Sequence, residues 1–178
     1  MAKLVSKVYG DAYVSEISEK NIDLNLALEE IKGIKGIFIE NNKISRLLDS
    51  PKMDDDEKAD FIRGIFENRI GNESLGLLLT IIEKKRQGEF INIFDYIIDC
   101  LKELLGIGKA KITTSLPLRD SKKKELEKRI LETSHYNSLE SEYVVDESII
   151  GGIVIRIGDR VVDSSVKTKI EKMRKMLS

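Results

Sequence analysis

Up to Leu105 the chain repeats apolar side chains every three or four positions, the period of helices that each bury one stripe. Leu4, Val5, Val8, Ala12 and Ile17 mark a first helix, and after a break at Asn21, Leu24, Leu28, Ile31 and Phe38 mark a second. Gly33 and Gly36 weaken that second helix, so a bend or an early end is expected there. A short segment from Ile44 to Leu48 stops at Asp49-Ser50-Pro51, because proline disfavours helical geometry in the residue before it. Asp54 to Glu57 then put carboxylates where the free N–H groups and the dipole of a new helix favour them. Phe61, Ile62, Ile65 and Phe66 form its stripe. Leu75, Leu78, Leu79 and Ile82 repeat the pattern, as do Phe90, Ile93, Phe94, Ile97, Leu101, Leu104 and Leu105. Five or six amphipathic helices with short connections suffice for a compact bundle.

At Gly106-Ile-Gly-Lys109 the period changes. Residues 110–116 alternate and are rich in β-branched types, which predicts a strand. Beyond Pro117, Asp120 or Ser121 can cap a charged helix whose apolar contacts are Leu126, Ile130 and Leu131. A second strand is expected from Leu139 to Val145. Ile153, Ile155 and Ile157 lie on one face of a third, and Gly158-Asp159 is a two-residue hairpin signal leading into Arg160-Val161-Val162. Gly151 and Gly152 permit a turn or a close backbone approach just before it. Ser164 or Ser165 then caps a last helix carrying Val166, Ile170, Met173 and Leu177 at intervals of four, three and four. The fold class is therefore α+β in two domains: helices over residues 1–105, then a small α/β domain over 106–178 with a hairpin and a C-terminal helix.

Charge supports that division. The formal net charge of the 178 residues is -1, yet residues 1–105 carry 15 Lys and Arg against 20 Asp and Glu, and residues 106–178 carry 15 against 11. Two surfaces of opposite balance suit two partners better than one. With 41% hydrophobic and 34% charged residues the composition is that of a soluble globular chain. No run reaches the ~18 apolar residues of a membrane span, and the first residues lack a signal-peptide core, so direct membrane insertion is not expected and the chain should stay in the cytoplasm.

Little in the sequence suggests a reaction centre. Cys100, the single cysteine, lies in a helical pattern and reads as a small core residue; one thiol cannot build a disulfide or a multi-thiolate zinc site. The lone His135 reads as part of a solvated turn. Three consecutive aspartates cannot converge on one ion without a tight loop, so Asp54 to Asp56 read as a helix start and no metal or cofactor is expected. A phosphate loop needs a glycine, four residues, then Gly-Lys-Ser/Thr. Gly106-Ile-Gly-Lys-Ala lacks the first glycine and the hydroxyl, and Gly151 to Gly158 opens a strand instead of following one. The cations at the C-terminal end (Lys167, Lys169, Lys172, Arg174, Lys175) read as the solvated face of the last helix, with no exposed aromatics for stacking bases, so nucleic acid is not an expected partner.

The order of these pieces, and the residues at their joints, resemble the delta subunit family of bacterial F-type ATP synthase, which includes the mitochondrial oligomycin-sensitivity-conferring protein. Asp146 to Val166 is similar to the family's closing signature almost throughout. Thr113-Thr-Ser-Leu-Pro-Leu118 resembles its Ala-Xaa-Pro-Leu-like step with Ser115 in place of alanine. Pro51 and Lys58, and Arg86 with Phe90 and Ile93, resemble its upstream spacings. Two stretches depart: Tyr9-Gly-Asp-Ala-Tyr13 stands where Tyr-Ala-Xaa-Ala-Leu is usual, and Ser74-Leu-Gly76 stands for an Asn-Phe-Leu step before the fifth helix. The resemblance implies a non-catalytic stator subunit on the cytoplasmic face of the membrane. It implies an N-terminal six-helix bundle that binds the N-terminal segments of the α subunits, and a C-terminal domain that binds the b subunits of the peripheral stalk, with coupling to protons or sodium ions left open. It further implies a groove between the first and fifth helices, lined by Tyr9, Ala12 and Tyr13 with Leu75, Leu78 and Leu79 opposite.

Overall fold

The structure, a computed structural model, describes residues 2–50 and 53–176. Pro51 and Leu177 lie outside the described residues, so neither the proline stop nor the end of the last stripe is addressed by it. The architecture is α+β, with eight α-helices and a four-stranded mixed sheet among the described residues, and the chain forms two compact units, Met1–Leu105 and Gly106–Ser178.

The first unit contains α1 (Ala2–Glu19), α2 (Leu24–Glu40), α3 (Asn42–Leu48), α4 (Asp55–Phe66), α5 (Asn72–Glu83) and α6 (Phe90–Leu105). α2 runs unbroken through Gly33 and Gly36, contrary to the bend expected from sequence. Ala27, Leu28, Ile31, Ile34 and Phe38 are all buried along it, and that packing outweighs the weak propensity of two glycines. α4 starts at a full capping box: Asp54 accepts from the Glu57 amide at 2.8 Å, and Glu57 accepts from the Asp54 amide at 3.1 Å. The core is aromatic at its centre, with Phe38 4.8 Å from Phe90 and 5.7 Å from Phe94 between ring centroids.

α1 departs from its predicted stripe. Leu4 and Val8 are 69% and 61% exposed, whereas Ser6, Tyr13 and Ile17 are buried and Gly10 faces α6. Two helical rows interleave on this helix, and the less apolar one faces inward. A Cβ on Gly10 would lie 2.3 Å from Cδ1 of Tyr96, so the Tyr96 ring occupies the space that a side chain at position 10 would need.

In the second unit, β1 (Ile107–Thr114), β2 (Ser138–Val145), β3 (Ile153–Ile157) and β4 (Arg160–Asp163) form a sheet in the order β2-β1-β3-β4. β1 and β2 are parallel, joined through α7 (Asp120–Thr133), and the other pairings are antiparallel. β1 starts earlier than predicted: Ile107 and Gly108 already pair with Ser138 and Leu139, and Gly108 suits that place because a Cβ there would meet the Tyr136 ring at 2.7 Å. The N-cap of α7 is Arg119, not Asp120 or Ser121, and its carbonyl receives the Lys122 and Lys123 amides. The core is small: Ala110, Ile112 and Ile130, with Leu126, Leu139, Tyr143, Ile153, Ile155 and Ile157 packed around them. β3 turns into β4 through Gly158-Asp159, with Gly158 at φ +54°.

Candidate functional site

Contacts along α1 and α5 show that the two helices lie antiparallel. Lys20 near the end of α1 pairs with Glu73 at the start of α5 at 3.1 Å, and the Tyr13 and Ser74 hydroxyls share a hydrogen bond of 2.8 Å. Nearer the start of α1, the Tyr9 phenol interacts electrostatically with Lys84, whose ammonium is held mainly by its hydrogen bond to Glu83 and has its pKa raised by that bond. Burial pushes the Tyr13 phenol up to about 12, against the opposing effect of the Ser74 hydroxyl. Tyr13 therefore remains neutral at any physiological pH and serves as a buried fastener between the helices.

The six residues predicted to line a groove here are not equivalent. Tyr13 is 3% exposed and Leu78 is fully buried, so both belong to the core. Tyr9 is half-buried, one turn before Tyr13 and on the side of α1 nearer Lys84 of α5, whereas Ala12 is exposed and shares the outer side of α1 with Val8. Leu75 and Leu79 are half-buried and share a face, but at about 100° per residue they are turned away from the Glu73 and Ser74 side that meets α1. Ser74 to Gly76, read as preceding the fifth helix, lies inside it.

The face of α1 rests on contacts that the sequence reading did not identify. The Tyr96 hydroxyl donates to Asp11 at 2.7 Å, and this carboxylate bond raises the phenol's pKa. With its ring on Gly10 and its hydroxyl on Asp11, Tyr96 locks α1 to α6. A glycine within a helical run is the signal that pointed here, since such glycines commonly mark close packing. Cys100 is half-buried on α6, not fully in the core, and burial raises its pKa, which disfavours a reactive thiolate.

The second unit offers two other surfaces. A groove of about 760 Å³ lies between α7 and the β3–β4 hairpin, with Leu126, Ile130, Ile155, Ile157, Val161 and Val162 supplying its apolar lining. Arg129, Asp159, Arg160 and the exposed His135 also border it, and the His135 ring sits 4.2 Å from that of Tyr136. Behind the groove the Tyr143 hydroxyl donates to Glu127 at 3.0 Å, tying β2 to α7; burial first and that carboxylate second push the phenol up to about 12.

The other surface is α8 (Val166–Met176), which has no buried residue. Gly151 and Gly152 sit beneath its start. A Cβ on Gly152, at φ +81°, would meet the Ser164 carbonyl at 2.4 Å, and one on Gly151 would meet Val166 Cγ2 at 3.2 Å. The glycine-rich stretch is thus a structural junction between strand, hairpin and helix. No group of three or more metal-ligating side chains occurs among the described residues, and no helix there is long and apolar enough to cross a membrane.

Comparison with known proteins gives a consistent result. The sequence profile of the family described as ATP synthase delta (OSCP) subunit matches residues 5–177. "ATP synthase subunit delta" of Lachnoclostridium phytofermentans is 41% identical over 177 residues, covering 99% of this chain and 97% of that one. The protein of the same description from Ruminiclostridium cellulolyticum is 29% identical over 175 residues, covering 98% of each. Among solved structures, a chain of the Toxoplasma gondii mitochondrial ATP synthase hexamer superposes with a TM-score of 0.69 at 16% identity, covering 97% of this chain and 96% of that one, a likeness of fold.

Proposed function

Since the chain belongs to the ATP synthase delta (OSCP) subunit family, whose members are non-catalytic stator components of the peripheral stalk, we propose how its two units divide that task. The first unit acts as a six-helix bundle and receives the N-terminal segment of an α subunit on the outer face of α1. Leu4, Val8 and Ala12 make the contact, with Tyr9 at its edge toward α5 and Tyr13 and Leu78 supporting it from the core, while Leu75 and Leu79, turned away from α1, lie outside it. The second unit attaches to the b subunits of the stalk at the cytoplasmic face of the membrane.

One observation carries this reading: Leu4 and Val8 stand 69% and 61% exposed, one helical turn apart, on a helix whose opposite side is locked into a packed core. Apolar rows of this kind are how grooves and helix faces receive amphipathic helical segments. The opposite charge balance of the two units fits two different partners. Endurance is the physical requirement. A nanomolar attachment, about -12 kcal/mol, with association near 10⁶ per molar per second releases on the order of once in 10³ seconds.

Titration calorimetry with a synthetic peptide covering the first ~25 residues of the α subunit of the same enzyme tests the first half; at ~1.5 Å per residue such a helix exceeds the length of α1. Saturable one-to-one binding that weakens at least about tenfold in Val8→Asp is the expected outcome, since burying an unpaired carboxylate is costly. Equal affinity of the variant and the parent would move the contact off α1. Tyr13 is unsuited to this test, because its substitution would disturb the core.

A further inference from the structure

The last helix carries the residues of a binding element and buries none of its own side chains. α8 holds five cations against one carboxylate, Glu171, in eleven residues. Val166, Ile170 and Met173 form one row along it, at spacings that keep them on one side, and they are 37%, 51% and 61% exposed. An isolated helix shorter than ~12–15 residues is marginal in water, so this one depends on what it rests against.

Its first turn, by contrast, is firmly held. Asp163 accepts from the Ser165 amide at 2.8 Å and from the Thr168 hydroxyl at 2.7 Å, while the buried Ser165 hydroxyl accepts from the Thr168 amide at 3.2 Å. The Val166 amide donates to the Gly151 carbonyl at 2.9 Å. α8 is therefore fixed at one end and leaves an apolar row uncovered along its length. Lys169 and Arg174 border that row on its two sides by helical geometry.

We propose that α8 is a docking face for an amphipathic helix of a protein partner whose apolar stripe is bordered by Asp and Glu. This rests on the reading that the second unit attaches to the stalk, and adds to it the element used and the chemistry selected. Charge decides the occupant. A second copy of the chain would set five cations against five. The groove beside α7, with Arg129 and Arg160 against Asp159 on its border, does not complement α8 either. An anionic bilayer would answer the cations, but helices that lie in membrane interfaces favour aromatic side chains on the apolar side, and α8 has none.

The test uses the full chain and two synthetic helical peptides of about 20 residues, ~30 Å long, with the same apolar stripe bordered by Glu in one and by Lys in the other. Anionic phospholipid vesicles serve as a third probe. The Glu-bordered peptide is expected to bind, to weaken about tenfold or more between ~0.05 M and ~0.5 M salt, and to bind at least about tenfold tighter than the Lys-bordered one. Ile170→Asp, and separately Lys169→Glu with Arg174→Glu, abolish that binding, whereas Val162→Asp in the groove leaves it intact. All three α8 positions are exposed, so the unit keeps its fold. Equal binding of the two peptides, retained binding in Ile170→Asp, or capture by vesicles in preference to the Glu-bordered peptide would each overturn the proposal. A b-subunit peptide bound equally well by the parent and by Ile170→Asp would overturn it while leaving stalk attachment standing. Binding of the Glu-bordered peptide at α8, with no binding of the b-subunit peptide anywhere on the chain, would instead remove the stalk reading and keep the docking face.

Discussion

The two units reach stability by different means. The first buries a continuous set of large side chains, including fully buried Phe94, Ile93, Ile97, Leu78 and Ile81, and leaves exposed apolar residues on its outer faces, Leu4 and Val8 among them. The second buries three residues in its core cluster and surrounds them with partly exposed ones, while Val161, Val162, Ile170 and Met173 stand in solvent. A self-sufficient core can display an apolar face at little cost to itself. A thin core with much uncovered apolar surface gains from being covered. The difference suits a firm platform and an element completed by its partner.

Substitutions can break that comparison, and the largest effect belongs to the platform. Phe94→Ala should cost about 3–5 kcal/mol, read by urea denaturation, whereas Met173→Ala on α8 should remain within about 0.5 kcal/mol. Comparable losses at both would mean that α8 packs more tightly in solution than in the structure. Next come the two glycines that fit close approaches. Gly10→Ala drives a methyl into the Tyr96 ring, for about 1–3 kcal/mol of overpacking. Gly152→Ala meets the Ser164 carbonyl at a positive φ, for strain of about 1–3 kcal/mol, and should loosen α8 without touching the first unit. Thermal melting of each variant measures these.

Tyr13→Phe should cost about 1–2 kcal/mol, since it leaves the Ser74 hydroxyl buried without its partner. In alkali the same residue contributes with a defined sign. Its folded pKa lies above the ordinary 10.0, so its stabilisation is complete below pH 10.0 and declines as pH rises through about 12, and Tyr13→Phe should flatten that decline. The smallest effect is in acid. The Ser165 amide first, and the Thr168 hydroxyl second, lower the pKa of Asp163 below its ordinary 3.8. Its contribution is complete above pH 3.8 and is lost as pH falls through the lowered value, so hydrogen exchange in the first turn of α8 should quicken there and Asp163→Asn should remove the dependence.

Much of this was legible in the sequence, and the failures share a cause. Periodicity located the helices, the change at Gly106 and the Gly158-Asp159 turn, because each is a local property of the chain. It could not tell which of two helical rows on α1 faces inward. Leu4, Val8 and Ala12 read as core, and the buried row of Ser6, Gly10, Tyr13 and Ile17 became visible only once Tyr96 was seen against Gly10. The proposed groove residues divided for the same reason: Tyr13 and Leu78 are core, Tyr9 is half-buried toward α5 and Ala12 is exposed, a distinction set by neighbours distant in sequence. Gly33 and Gly36 misled because local propensity was outweighed by burial on both sides of them. The capping boundaries of α7 and the early start of β1 were likewise decided by backbone partners, Arg119 and the Ser138 register, that single residues do not announce.

The central claim is that this chain joins head to stalk through two separable faces. ATP-driven ion pumping in membranes whose ATP synthase has been stripped of its delta subunit tests it most directly. The account predicts that the full chain restores pumping, and that Leu4→Asp with Val8→Asp fails to restore it while ATP hydrolysis by the head and the fold of the added chain are unchanged. Restoration by that double variant to the level of the parent chain would contradict the claim.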